Sequence, residues 1–451
     1  MQTALLICNL LAAVLGALYA YRVIFGIVGL FCVKRFAPAK RLHRYAVVIA
    51  ARNEETVIGN LLDSIAAQDY PAELIRVFVV ADNCTDGTAE VARRRGAFCY
   101  ERQDTQKCTK GYALEFLFDC IERDFGRKSF DGYFIFDADN ILKSDFISRM
   151  NDAFDSGERV VVSYRNTKNL GDGWLSSTYA LHWLRTCRME HCARAFFGIS
   201  CRIQGTGVLF SNEFVEDGWH YTSLTEDRAF SSVVVTKGVT ISYQHEAQFW
   251  DEQPNSFRIA CRQRLRWAKG NLQAFGETGA DLFAGIFCQK GAAKRISCYD
   301  MLLFNFPSSV VSVPLKLIEA TLVVVSSVMA GLFGAEWLRL LVQVLEILIF
   351  EHLSCVALGA LVLFWERRRM PKLRPYQYVW YSLTFPMFGL VGDVVMLLAV
   401  FKKVTWKPIP HNANVRLEQL EHTVSLSKAT PVKTNASQQK EPETEKREYI
   451  K

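Results

Sequence analysis

The chain has 451 residues, half of them hydrophobic, and a formal net charge of +7. That apolar fraction is high for a soluble protein and low for a transporter built of spanning helices, so two or three domains with a membrane tether fit best. The modest basic excess excludes a concentrated nucleic-acid face, and thirteen scattered cysteines, an odd number, argue for reduced thiols rather than a disulfide framework.

Residues 4–33 contain a single charge, Arg22, and exceed the roughly 20 apolar residues that a helix needs to cross a bilayer. The stretch lacks the basic start and short apolar run of a signal peptide, so residues 1–33 are expected to be a retained anchor. Lys34, Arg35, Lys40, Arg41 and Arg44 follow, which by the positive-inside rule sets this end in the cytoplasm.

From Tyr45 to Phe275 short β-rich runs alternate with helical periodicity, the pattern of stacked βαβ units, and residues 34–275 form the expected cytoplasmic α/β domain. "YAVVIA" is expected to be a buried strand, and "ETVIGNLLDSIAAQ" puts Val57, Ile58, Leu61, Leu62 and Ile65 on one helical face. "IRVFVVAD", "AFCYE" and "YFIFDAD" supply three more strands, with helices between them, which predicts a doubly wound, mostly parallel sheet.

After Trp267 an amphipathic, interfacial segment is expected over 276–308, then a membrane region over 309–406 with three candidate spans near 309–333, 338–365 and 378–401. "ERRRMPKLR" marks a cytoplasmic loop between the second and third, while the charge pattern leaves the side of the C-terminal tail open. Residues 407–451 are polar and expected to be largely disordered, above all from Val424 on.

Ligands of an open α/β sheet bind beyond the carboxyl ends of its strands, where Asp82, Asp137 and Asp139 fall. A dinucleotide site is excluded, because the turn after the first strand reads "AARNEE" where glycines are required, and the "GTG" at Gly205 to Gly207 is incomplete and late. Asp137 and Asp139 stand two apart on an extended chain, so their carboxylates share a side and suit one hard divalent cation. The competing reading is that they cap a helix or solubilise a turn. "CRMEHC" at Cys187 to Cys192, with His182 and Cys201 nearby, offers ligands that zinc prefers, but its spacing and helical periodicity favour ordinary packing.

Taken together, "VVIAARNEE", "VVADNCTDGT", "KGYAL", "FDADN", "TED" and "QRLRW" resemble, in order and approximate spacing, the inverting glycosyltransferases of family 2, which have the GT-A fold. The similarity runs from Tyr45 to Trp267, and the flanking spans fit the membrane-embedded branch that includes cellulose, hyaluronan, chitin-oligosaccharide and poly-N-acetylglucosamine synthases. One departure is Ala50, where the family commonly has proline. The resemblance implies that Glu54 and Asp82 contact the uridine of a nucleotide sugar and that Lys110 lies near the nucleotide. It implies that Asp137 and Asp139 hold the diphosphate, with Asp139 the main ligand of Mg2+ or Mn2+, and that Asp227 is the catalytic base. Gln263, Arg266 and Trp267 would line the diphosphate and acceptor region.

Other roles compete: Asp227 as a first-turn helix residue favoured by the dipole, Trp267 as an interfacial anchor, and the arginines of "RQRLRW" as a membrane-facing stripe. The expectation is a multi-pass cell-membrane enzyme that forms a β-linked glycan on the cytoplasmic face, with a single-addition transferase acting on a lipid as the alternative. Its partners would be the nucleotide-sugar donor, a glycan or lipid-linked acceptor and membrane lipid, without nucleic acid. Accessory subunits are not legible.

Overall fold

The computed structural model describes residues 2–329, 331, 335–406, 408–409, 411 and 413–428. Its centre is a sheet of eight strands: β1 (Tyr45–Ala51), β2 (Ile75–Asp82), β3 (Phe98–Arg102), β4 (Gly132–Asp137), β5 (Ile141–Leu142), β6 (Val160–Thr167), β7 (Val208–Ser211) and β8 (Ile241–Asp251). The order is β3-β2-β1-β4-β7-β6-β8-β5. The first four pair in parallel, as does β6 with β8, whereas β7 runs antiparallel to both β4 and β6, and β5 antiparallel to β8. The sheet is thus mixed, with the expected doubly wound half at one side. The central strands are apolar along their length because helices cover both faces. On one face Val48, Phe78, Leu117 and Phe118 enter a core that continues to Leu363, Tyr381 and Phe385; on the other Val47, Ile49, Ile58, Leu61 and Phe136 pack together.

Four apolar segments are long enough to cross a membrane: Thr3–Phe31, Ser308–Met329, Ile349–Glu366 and Pro375–Phe401. The expected number holds, with shifted bounds. The last is two helices, Pro375–Thr384 and Pro386–Phe401, because Pro386 starts a new first turn, where its missing N–H costs nothing. After β8 come the helices Phe257–Cys288 and Ala292–Asn305, which expose Phe283, Phe287 and Ile296.

The described part of the stretch 407–428 is folded back on the domain, which the expectation of a largely disordered tail over 407–451 did not include. The helix Leu417–Lys428 brings Leu420 against Ile141 and Trp250, with Val415 and Leu417 alongside, so the few apolar residues here help to dock it. Residues 429–451 of that expectation lie outside the described residues.

A buried fork ties the N-terminal apolar segment to the domain. Arg194 donates from Nε to Asp300 Oδ2 (2.7 Å) and from Nη2 to Asp300 Oδ1 (3.1 Å), and Tyr21 Oη of the N-terminal span donates to the same Oδ1 (2.5 Å). Removing one partner strands a buried charge, at a cost of about 3–5 kcal/mol. Arg194→Met is therefore expected to lower the melting temperature of the detergent-solubilised protein by several degrees, and an unchanged melting temperature would contradict this role of the fork.

Candidate active site

Two asparagines set the sheet edge. Asn53 and Asn83, each just past the end of β1 or β2, have φ of 56° and 52°, a left-handed conformation that asparagine tolerates better than most residues. The Asn53 side chain accepts from Thr85 N (2.8 Å), and that of Asn83 accepts from Asp104 N (2.9 Å), so each turn is locked to the next loop. The turn after β1 leads into buried Glu54, and β2 ends on buried Asp82. Asp82 is neutralised by Arg102 Nη1 (2.6 Å) and by Arg52.

Asp137 ends β4 and is paired with Lys110, whose Nζ also donates to Gly205 O (2.7 Å) and stands 3.7 Å from Glu226. Burial works against this ammonium, but Asp137 and Glu226 outweigh it and hold Lys110 above the ordinary lysine range. The "GTG" turn braces the "DADN" loop, because Thr206 Oγ1 accepts from Asp137 N (3.0 Å) and donates to Asn140. Asp139 is buried, and its Oδ2 accepts from Glu252 N (2.8 Å). Burial raises its pKa, but His411, Lys168 and the Glu252 amide more than offset this and keep the carboxyl below its usual range.

Glu226 and Asp227 open the helix Glu226–Thr236, so Asp227 does stand in a first turn, where the dipole favours it. Burial pushes Glu226 up to about 7 despite Lys110, and raises Asp227 as well. The long helix Phe257–Cys288 carries Gln263, Arg266 and Trp267 past this point. It comes close because residue 270 is glycine, where a Cβ would strike the side chain of Thr225. Arg266 Nη1 donates to Leu224 O (3.1 Å), while Gln263 Oε1 is buried without a partner among the described residues. Trp267 packs against Tyr179 and Trp183, at ring-centroid distances of 6.1 and 5.8 Å.

These residues line two cavities. A sheet-edge pocket of about 150 Å3 is walled by Glu54, Asp82, Lys110, Asp137, Asp139, Gln263 and Arg266, among others. A larger chamber of about 530 Å3 takes Asp227 and Trp267 and reaches Phe388 and Met396 of the last spanning segment. Lys110, Asp137, Arg165, Gln263 and Arg266 line both. Every residue selected from the sequence borders one cavity or the other.

Several residues here were not anticipated. Asp251, at the end of β8, is pushed up to about 6 by burial in spite of Arg165, and with Glu252 it lines the sheet-edge pocket. The segment after the last span crosses that pocket: Trp406 stacks on Arg52 (4.3 Å), His411 Nδ1 hydrogen-bonds Glu54 Oε1 (2.9 Å), and Ala413 N donates to Glu252 Oε2 (2.9 Å). Burial lowers the His411 pKa, but Asp139 and Glu54 outweigh it and raise it to about 10. The "VTWKP" sequence and the "PHNAN" that follows it were the available signals.

The "CRMEHC" stretch forms a buried π-helical turn, Thr186–His191, continuing into Cys192. Cys192 Sγ meets His245 Nδ1 (3.5 Å) and Cys187 Sγ donates to Arg165 O (3.8 Å), while among the described residues no three His, Cys, Asp or Glu side chains come together as a metal cage.

A family model described as glycosyltransferase like family 2 matches residues 43–270. The probable glycosyltransferase YdaM of Bacillus subtilis (strain 168) is 23% identical over 293 residues, covering 59% of this chain and 63% of that protein. The beta-monoglucosyldiacylglycerol synthase of Synechocystis sp. is 22% identical, over 59% of this chain and 55% of that protein. The poly-beta-1,6-N-acetyl-D-glucosamine synthase of Staphylococcus epidermidis is 20% identical, over 62% and 65%. The chain thus spans less than two thirds of the length of these relatives. Among solved structures, the mannosyltransferase PcManGT from Pyrobaculum calidifontis, in complex with GDP-Man and Mn2+, superposes with a TM-score of 0.56 at 17% identity, covering 88% of this chain and all of that one. That likeness establishes a shared fold.

The glycine contact is directly testable. Gly270→Val is expected to destabilise by about 1–3 kcal/mol through overpacking and to speed amide hydrogen exchange in the helix Glu226–Thr236, since Thr225 must yield. Unchanged exchange in that helix would contradict the contact.

Proposed function

The chain belongs to the glycosyltransferase like family 2, and from that premise we propose that it moves a sugar, with inversion, from a nucleoside diphosphate donor, UDP in the first instance, to a hydroxyl of an acceptor held at the membrane. The observation that carries this is the junction of the two cavities at Lys110, Asp137, Arg165, Gln263 and Arg266. The nucleotide occupies the sheet-edge pocket, with Glu54 and Asp82 toward the uridine and Lys110 near the phosphates. The buried Glu54 Oε2 and Gln263 Oε1, without partners among the described residues, are atoms that a ligand would satisfy. The acceptor occupies the chamber against Trp267.

Asp227 takes the proton of the attacking hydroxyl. The new bond from that oxygen to the sugar C1 forms as the bond from C1 to the diphosphate breaks, and the electron pair leaves with the diphosphate. Arg266 and Lys110 stabilise the charge that grows there. One base and no enzyme nucleophile are needed for a single displacement.

Asp137 and Asp139 fit a divalent cation: their oxygens suit Mg2+ or Mn2+, and Asp139 is held ionised. A cation bound by these two would bring positive charge to the diphosphate and keep positions open for its oxygens. The basic residues 34–44 and the "ERRRMPKLR" loop support a cytoplasmic catalytic domain.

Of the two acceptors expected, the geometry favours a lipid over a growing glycan, because the chamber borders a candidate spanning helix and its walls carry guanidinium groups as well as aromatic rings. Extension of a β-linked glycan is the second reading, supported by the presence of Trp267 in the chamber wall. With primer in large excess, the lipid reading expects singly glycosylated products, and long chains on a minority of primers would favour the polymer.

Asp227→Asn is expected to leave UDP binding intact and to slow transfer about a hundredfold or more; near-normal turnover would remove Asp227 from the mechanism. Because the base acts deprotonated and its pKa is raised, activity should fall on acidification at a pH above the ordinary aspartate value of about 3.9. Asp139→Ala, or EDTA on the intact protein, is expected to abolish tight donor binding, and unchanged donor affinity in titrations with UDP would contradict the cation site.

A further inference from the structure

The chamber beyond Asp227 has more positive than negative charge on its walls. Eight of its lining residues are lysine or arginine and five are aspartate or glutamate. Lys110, Arg165 and Arg266 also reach the sheet-edge pocket, so they can answer to the nucleotide; Arg22, Arg185, Arg202, Arg228 and Arg264 line the chamber without reaching that pocket.

These five are poorly supplied with counter-charge. A single carboxylate, Glu190, serves Arg185 (2.8 Å), Arg202 and Arg194 (3.2 Å). Arg22, Arg228 and Arg264 make no ion pair with the described residues. Their guanidinium groups lie instead against aromatic rings: Arg264 over Phe388 at 4.0 Å, Arg228 over Phe304 at 4.4 Å, and Arg22 over Tyr19 at 4.5 Å. Arg202 covers Phe304 as well, at 3.7 Å. Arg228 Nη1 donates to Asn271 Oδ1 (2.8 Å), and Gly392 makes room for Arg264, whose guanidinium a Cβ there would strike. Burial lowers the pKa of Arg202, Arg228 and Arg264 by more than Glu190, Asp227 and Asp393 restore. Asp393, the carboxylate on the spanning helix, is engaged by Ser309 Oγ (2.6 Å).

An uncharged sugar chain in this chamber would leave those guanidinium groups desolvated without an anion, which is costly. A phosphate ester would meet them with charge-assisted, bidentate hydrogen bonds. We propose that the acceptor carries a phosphate group close to the hydroxyl that Asp227 deprotonates, and that Arg228, Arg264 and Arg202 bind this phosphate. This rests on the chamber being the acceptor site. Because Phe388 and Met396 of a candidate spanning segment line it, a phospholipid headgroup with a free hydroxyl is the source that the geometry favours.

The test uses the full chain in detergent with Mg2+ and a UDP-sugar, and three acceptors: short-chain phosphatidylglycerol, glycerol 3-phosphate and short-chain diacylglycerol. Binding is followed separately, without donor, by the fluorescence of Trp183 and Trp267. Saturable binding and transfer are expected for phosphatidylglycerol, at least tenfold better than for diacylglycerol. Arg264→Gln should raise KM for the phosphate-bearing acceptor tenfold or more, with a smaller change in kcat, and Arg264→Lys should recover part of the loss. Preference for glycerol 3-phosphate would uphold the phosphate and move its source to solution. Transfer to diacylglycerol that equals or exceeds transfer to either phosphate acceptor, with no effect of Arg264→Gln, would overturn the inference while leaving the transferase reading intact. Arg264-dependent phosphatidylglycerol binding without release of UDP from any donor would uphold the phosphate site and overturn the transferase reading.

Discussion

The Lys110 ammonium lies where three otherwise separate pieces of chain meet. It pairs with Asp137 at the end of β4, donates to Gly205 O in the turn before β7, and stands 3.7 Å from Glu226 at the start of the helix that carries Asp227. Carboxylates gathered at the carboxyl edge of a parallel sheet repel one another and lose solvation, so an interior cation is the condition for keeping them together. Lys110 meets it where the two cavities adjoin, alongside Arg165 and Arg266. The surrounding charges follow the same logic: Arg52 and Arg102 hold Asp82, Arg165 holds Asp251, and His411 holds Glu54.

Burial and local partners set each carboxyl separately: on both sides some are raised, as Asp251 and Glu226 are, and some are held down, as Asp139 and Glu190 are. On the sheet-edge side carboxylates predominate, and Asp139 is kept ionised, as a cation ligand has to be. On the chamber side the arginines around Glu190 hold it well below the usual range, while burial raises Glu226 to about 7 and Asp227 in the same direction. A group meant to accept a proton gains basicity from such a shift, and a group meant to hold a metal loses by it. Asp139 and Asp227 therefore differ in the way their proposed roles require, although both are aspartates in short acidic motifs.

The part of the site that was legible in the sequence is the part made by local structure. Glu54, Asp82, Asp137 and Asp139 stand at or just beyond the ends of buried strands, and a run of apolar residues followed by a carboxylate marks such a place without knowledge of the fold. Gln263, Arg266 and Trp267 follow helical spacing. What escaped depends on distant parts of the chain returning. His411 reaches Glu54 across 357 positions, and Asp251 ends a strand whose "SYQHEAQ" stretch hides its pairing with β6. The chamber arginines come from separate elements that no spacing rule could group. Likewise the docked helix Leu417–Lys428 was concealed by polar composition, because it is seated by a few apolar side chains together with Glu421, which accepts from Ser144 N (3.2 Å) and Oγ (3.0 Å).

The central claim is a single displacement at the junction of the two cavities, with one base and no covalent intermediate. It is tested most directly by the anomeric configuration of the product formed from an α-configured UDP-sugar, read from the proton coupling of the newly linked sugar by NMR. The account predicts a β linkage. An α linkage would require retention, and would contradict the assignment of Asp227 as sole base.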